Sequence, residues 1–159
     1  MEGWLHFSED TIVESPSKSS ERVAYNITGK APSPLGAYSH AVKANGFLFL
    51  SGQGARNPDT GIEEGITLNE SGEVTDYDIR VQTEWVIKNM KVVLEEAGLS
   101  LENLVDIMVF LKDMNDFKAY NEVYEKHFSF PDPPARTTVQ AKDLPGRNNI
   151  EIKAIALCK

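Results

Sequence analysis

Two charged side chains in this sequence stand where a strand is expected to begin. Arg136 follows the rigid lead-in Pro133-Pro134-Ala135, and Glu151 lies between Ile150 and Ile152. A guanidinium offers a planar fork of N–H donors that matches a carboxylate, and a carboxylate can take up or deliver a proton. Strand ends that meet loops are common places for such groups, because a rigid scaffold then aims them. Isolated Arg and Glu are also mostly surface residues. Position alone therefore leaves two readings: solvated rim charges, or parts of a site.

The elements that would carry them follow from periodicity. Arg136 opens a β-branched run, Thr137-Thr138-Val139, and Glu151 heads the last apolar run, Ile150–Cys158. Pro131-Asp132-Pro133-Pro134 forbids helix ahead of Arg136. Before it, Asp116–Phe128 reads as a helix with Phe117, Tyr120, Tyr124 and Phe128 along one face. Lys126 and His127 fall in its last turn, where cations are favoured. Leu104–Leu111 is nearly continuous apolar, the pattern of a strand covered on both faces. Asp76–Ala97 is a longer helix: Ile79, Gln82, Val86, Met90, Val93 and Ala97 recur at helical spacing. Asp76 and Asp78 suit its positive end and Gly98 its stop, with Trp85 beside the stripe as core packing.

Further upstream, His40–Ala44 and Phe47–Ser51 flank Asn45-Gly46, a pair that tolerates positive φ at both centres of a type I′ hairpin. Val23–Thr28 reads as a short strand and Gly29–Gly36 as a loop. Ser51–Val74 reads as loop, with a turn at Asn57-Pro58-Asp59-Thr60-Gly61. The order is strand pair, helix, strand, helix, two strands. That is an α+β domain, with a mixed sheet and helices against one face.

A length of 159 residues fits one domain, and 41% hydrophobic residues can fill one core. Residues 1–22, rich in Ser, Pro, Lys and Glu toward Glu21, read as a partly flexible extension of a domain spanning 23–159. A net charge of −8 with scattered basic residues disfavours nucleic acid as a partner. With one cysteine, Cys158, no intrachain disulfide forms, and His6, His40 and His127 have no zinc-site spacing. The Gly-rich stretch after Ser51 contains neither Gly-Lys-Ser/Thr nor a dinucleotide fingerprint. No run approaches the ~20 apolar residues of a membrane span, and the N-terminus has no signal-peptide pattern. The expected setting is cytoplasmic, with no membrane partner.

Several separated segments agree with one family. Leu35–Ser39, Phe49–Gln53, Asn57–Gly61, Met114–Phe117, Asn121–Tyr124, Pro134–Arg136 and Ile150–Ala156 together resemble the RidA/YjgF family of imine and enamine deaminases. The resemblance covers Ala31 to Lys159. It implies a chorismate-mutase-like fold assembled as a homotrimer with sites between subunits. The family's functional positions fall on Tyr38, Ser51, Gly52, Asn121, Arg136 and Glu151. Two departures stand out: Ala37 replaces the usual Pro before the Tyr, and Thr138 stands where many members have Cys. Asp78–Thr83, Met114–Tyr124, Arg136–Val139 and Arg56 resemble 2-aminomuconate deaminase in particular.

The resemblance implies a substrate that is a small carboxylate bearing an imine or enamine, hydrolysed with release of ammonia. Arg136 would hold the carboxylate, and Glu151 would activate water or protonate an enamine carbon. Ser51, Gly52 and Thr138 would satisfy the remaining polar atoms, and Arg56 would meet a second carboxylate. No metal or organic cofactor is expected. Two other classes compete with this reading: a non-catalytic trimer that binds a small carboxylate as a signal, and an RNA-cleaving or translation-inhibiting protein, which the net charge and the absence of a basic, aromatic face disfavour. In the family fold the strands headed by Arg136 and Glu151 run antiparallel. If a simple hairpin closed by Leu144–Asn149 joined them, Glu151 would pair near Lys142, with Arg136 ~20 Å away. A site using both would then draw Arg136, Asn121 and Thr138 from one subunit and Tyr38, Ser51, Gly52 and Glu151 from its neighbour.

Overall fold

The computed structural model describes residues 21–158. Most of the extension read into residues 1–22 lies outside the described residues. Eight strands and two α-helices follow in order: β1 Val23–Tyr25, β2 Ala41–Ala44, β3 Phe47–Gln53, β4 Ile66–Leu68, β5 Val74–Tyr77, α1 Ile79–Glu96, β6 Leu104–Leu111, α2 Phe117–His127, β7 Ala135–Gln140 and β8 Ile150–Leu157. Six strands form one mixed sheet in the order β1-β2-β3-β8-β6-β7, and β4-β5 form a separate ribbon.

The Asn45-Gly46 turn forms as expected, with φ of 49° and 79° at its two centres. Helix α1 begins later than the acidic residues alone indicated. Asp78 is its N-cap, accepting from the backbone N–H of Arg80 at 2.8 Å and of Val81 at 3.3 Å. Asp76 belongs to β5 instead. The stretch read as loop from Ser51 to Val74 also holds the end of β3, all of β4 and the first residue of β5. These strands are three or four residues long, too short for alternation to declare them.

Both helices cover the same face of the sheet, where Leu48, Leu50, Ile107, Val109, Ile152 and Ala154 are buried against Val86, Met90 and Tyr120. The other face is bare in the single chain, so within one chain β6, read as covered on both sides, is covered on one side only. Met108 on β6 is exposed, as are Phe49 (41%) on β3, Val139 on β7 and Leu157 (49%) on β8. The apolar run in β6 is real, but only alternate residues meet a helix.

The closing strands are not a hairpin. β6 runs between them, parallel to β7 and antiparallel to β8. The ~20 Å hairpin geometry is thereby replaced. Arg136 pairs with Ile107, and Glu151 pairs with Phe110. Two strand spacings and three residues of rise put their Cα atoms about 14 Å apart.

Replacing Asp78 by Ala removes the cap of α1 and should cost about 1 kcal/mol. Chemical denaturation should show this as a lower midpoint with an unchanged slope; an unchanged midpoint would contradict the capping role.

Candidate functional site

Ile107 and Phe110 lie three positions apart on one strand, so they face opposite sides of the sheet. Their partners do the same. Arg136 is on the helix-covered side and Glu151 on the bare side. The sequence-expected residues therefore separate into two clusters.

The first cluster is built on β7 and α2. Arg136 donates from Nη1 to Asn121 Oδ1 at 2.8 Å. Its guanidinium carbon lies 4.4 Å from the Tyr124 ring centroid and 5.6 Å from that of Tyr120. Asn121 also donates to Glu125 within its own helix at 2.6 Å, so its structural and site-directed contacts coexist. Thr138 shares a 2.6 Å hydrogen bond with the Tyr120 hydroxyl. Its hydroxyl is thus engaged with α2. Arg136, Asn121 and Tyr124 line an open cleft of about 560 Å³ with Pro133 and Pro134.

The second cluster surrounds Glu151 in a cavity of about 320 Å³ lined by Tyr38, Ser51, Gly52, Arg56, His40 and Lys153, among others. Gly52 is opposite Glu151, and a Cβ there would collide with the Glu151 carboxylate. The glycine is the space the acid occupies. Glu151 has no hydrogen-bond partner among the described residues, and burial pushes its carboxyl above the usual carboxylate range. Ser51 donates to Ser39 O at 2.7 Å, and the Tyr38 hydroxyl accepts from Leu35 N at 3.1 Å. Arg56 donates to Ser33 O, which turns its guanidinium toward this cavity's wall.

Several residues that shape this cavity were not singled out from the sequence. His40, 4% exposed, accepts from Ile27 N at Nδ1 (3.1 Å), which leaves Nε2 to donate to Pro32 O (3.0 Å). It tethers the loop carrying Tyr38. Asn89 of α1 donates to Gly54 O and Arg56 O, both at 2.9 Å. Asn148 accepts from Ala55 N at 2.8 Å and donates to Pro145 O at 2.8 Å. Gln82 accepts from Asn149 N at 2.7 Å, just ahead of Glu151. A Cβ on Gly54 would come within 2.5 Å of Asn148 Oδ1, so this loop also needs its glycine. Gln82 sits on the apolar stripe of α1, a polar residue at a core position; that was the available signal. Lys153, two residues after Glu151 on the same face, adds a cation to the cavity rim.

His127 does more than complement the helix end: Nδ1 accepts from Lys91 at 3.2 Å and Nε2 donates to Glu84 at 2.7 Å, tying α2 to α1. Among the described residues no group of three or more His, Cys, Asp or Glu could hold a metal, and no helix is long and apolar enough to cross a membrane.

Residues 28–158 match the family model described as Endoribonuclease L-PSP. A RutC family protein of Pyrococcus abyssi is 44% identical over 130 residues, which span 82% of this chain and 93% of that protein. The chain is a member of the RidA/RutC family. Reactive Intermediate Deaminase A of Arabidopsis thaliana, a chloroplastic protein, is 39% identical over 142 residues, 89% of this chain and 70% of that one. The crystal structure of RidA from an Antarctic Psychrobacter superposes with a TM-score of 0.70 at 36% identity, covering 83% of this chain and 97% of that one. The RidA-like fold inferred from the sequence is therefore the fold observed.

Glu151 binds its proton more tightly in the folded chain than in the unfolded one. Its charge therefore costs stability above the folded pKa, and the cost fades as pH falls and the carboxyl becomes neutral. Glu151→Gln should melt at higher temperature than the wild type at pH 7, with the gap closing in acid. A Gln variant that is less stable at pH 7 would overturn this account of the site.

Proposed function

We propose that this RidA/RutC protein is a deaminase that hydrolyses the imine or enamine of a small carboxylate, working as a homotrimer. The observation that carries the reading is the pairing of two incomplete half-sites with an uncovered apolar face. Arg136 with Asn121 forms an anion grip whose one neighbouring carboxylate, Glu125, is exposed and already engaged by Asn121. Glu151 with Gly52 forms an acid–base pocket whose nearest partners are loop groups. The bare sheet face, with Phe49, Met108 and Leu157 exposed around the strand of Glu151, is the surface another copy would cover. Head-to-tail contacts that close into a ring of three would bring one chain's Arg136 to the next chain's Glu151.

The chemistry follows from the groups. Arg136 holds the substrate carboxylate by parallel N–H···O bonds, with one Nη1 hydrogen already given to Asn121. Burial keeps Glu151 more basic than an ordinary carboxylate, as suits a proton acceptor. It takes a proton from water as the oxygen attacks the imine carbon. That proton passes to the imine nitrogen to give a neutral carbinolamine; Glu151 then carries the carbinolamine hydroxyl proton to the nitrogen as the C–N bond breaks, and ammonia leaves with an oxo acid behind. For an enamine, Glu151 first protonates the carbon and then takes a proton back from the iminium nitrogen, which gives the imine. General acid–base action of this kind contributes about 10²–10⁴ in rate.

The finer substrate reading is a dicarboxylate of the 2-aminomuconate type. Arg56 and Lys153 on the wall of the Glu151 cavity support it, since a second carboxylate needs a second cation. The family description names ribonuclease activity, but a net charge of −8 with no basic run argues against a phosphate backbone as ligand.

Ammonia release from imino acids generated in situ tests the proposal. The wild type should turn over, and Arg136→Lys should lose most of kcat/KM, because the fork is gone although the charge stays. Arg56→Gln should raise KM for a dicarboxylate far more than for a monocarboxylate. No turnover of any imine would leave only ligand binding. Equal effects of Arg56→Gln on both classes would remove the dicarboxylate reading.

A further inference from the structure

Tyr124 carries a hydroxyl that is buried and makes no hydrogen bond, the one such side-chain group among the described residues. The residue is 6% exposed, and its ring stacks on Phe128 at 4.0 Å and 12°. A buried hydroxyl without a partner is unfavourable compared with phenylalanine in the same place. Polar bonding within the chain therefore does not account for this side chain. Its ring face does have a partner: the Arg136 guanidinium, 4.4 Å from the centroid.

Asn121 and Tyr124 stand three residues apart on α2, on neighbouring turns of one face. Asn121 holds one edge of the guanidinium through Nη1, and Tyr124 supports its flat face. The Nε–Nη2 edge remains unengaged among the described residues. That edge is one of the two on which a planar carboxylate can make paired bonds. Tyr120 stands further off at 5.6 Å, with its hydroxyl locked to Thr138, and backs the arrangement from behind.

We infer that Tyr124 is a positioning residue for Arg136: its ring, not its hydroxyl, fixes the plane in which the guanidinium meets the substrate carboxylate. A long arginine side chain at the head of an edge strand would otherwise sample many rotamers, and each binding event would have to restrict them. The ring lies under the guanidinium before substrate arrives. The effect belongs to carboxylate binding and not to the proton-transfer steps at Glu151. This inference rests on the reading of Arg136 as the carboxylate grip.

The test uses the full-length chain and three substitutions. Tyr124→Phe keeps the ring and should retain wild-type KM and kcat, with stability equal or higher because the orphan hydroxyl is gone. Tyr124→Leu removes the ring and should raise KM for an imino acid about three- to thirtyfold with a smaller change in kcat. Inhibition by 2-oxobutanoate should weaken by the same factor, while inhibition by 2-oxobutanamide, expected to be weak because it has no carboxylate, should not change. A general loss of packing would weaken both inhibitors and lower kcat as well. If Tyr124→Phe is as damaging as Tyr124→Leu, the hydroxyl matters and the inference is wrong. If Tyr124→Leu behaves as wild type while Arg136→Ala is crippled, the inference fails alone. If Arg136→Ala is itself unimpaired, the carboxylate-grip reading fails and takes this inference with it.

Discussion

The alternation of side chains along β6 is the constraint on which the account depends. One strand separates Arg136 from Glu151, and their partners on it, Ile107 and Phe110, differ by an odd number of positions. An odd offset puts two side chains on opposite faces whatever the twist of the sheet. The sheet itself, through strand β6, lies between them. No rotamer change brings the guanidinium and the carboxylate of one chain to one small molecule. Either the two do not act together, or a second chain supplies one of them.

The Glu151 side is organised by buried amides more than by charges. Gln82, Asn89 and Asn148 hold the loops at Gly54–Arg56 and Arg147–Asn149 through bonds to backbone groups that would otherwise lose their partners on burial. These loops are distant in sequence but join at α1, which makes the cavity a property of the folded core. Inside it, Gly52 leaves room for a carboxylate that burial makes more basic. That arrangement costs stability, as is common where a charged group is kept partly out of water.

Much of the fold was legible from the sequence for identifiable reasons. The 3.6-residue stripe of α1 runs over five turns, and Asn45-Gly46 admits few backbone geometries, so both were clear. β4 and β5 were not, because three or four residues give too little periodicity. The position of β6 between β7 and β8 is a non-local pairing that no local pattern encodes. Among the site residues, the types and strand-head placement of Arg136 and Glu151 singled them out, and family resemblance added Tyr38, Ser51, Gly52 and Asn121. Tyr124 was visible only as one member of an aromatic face, since its contact with Arg136 joins two elements. Val139 and Met108 read as ordinary strand residues; that they face outward emerges only once both helices are seen on the same side.

The central claim, that one working site combines Arg136 of one chain with Glu151 of another, has a direct measurement. Arg136→Ala and Glu151→Ala are each purified as inactive proteins, mixed, and allowed to exchange subunits before imine hydrolysis is assayed. Mixed rings would contain some interfaces with both intact halves, so activity should reappear after exchange and not before it. Mixtures that remain inactive despite demonstrated subunit exchange would contradict the account.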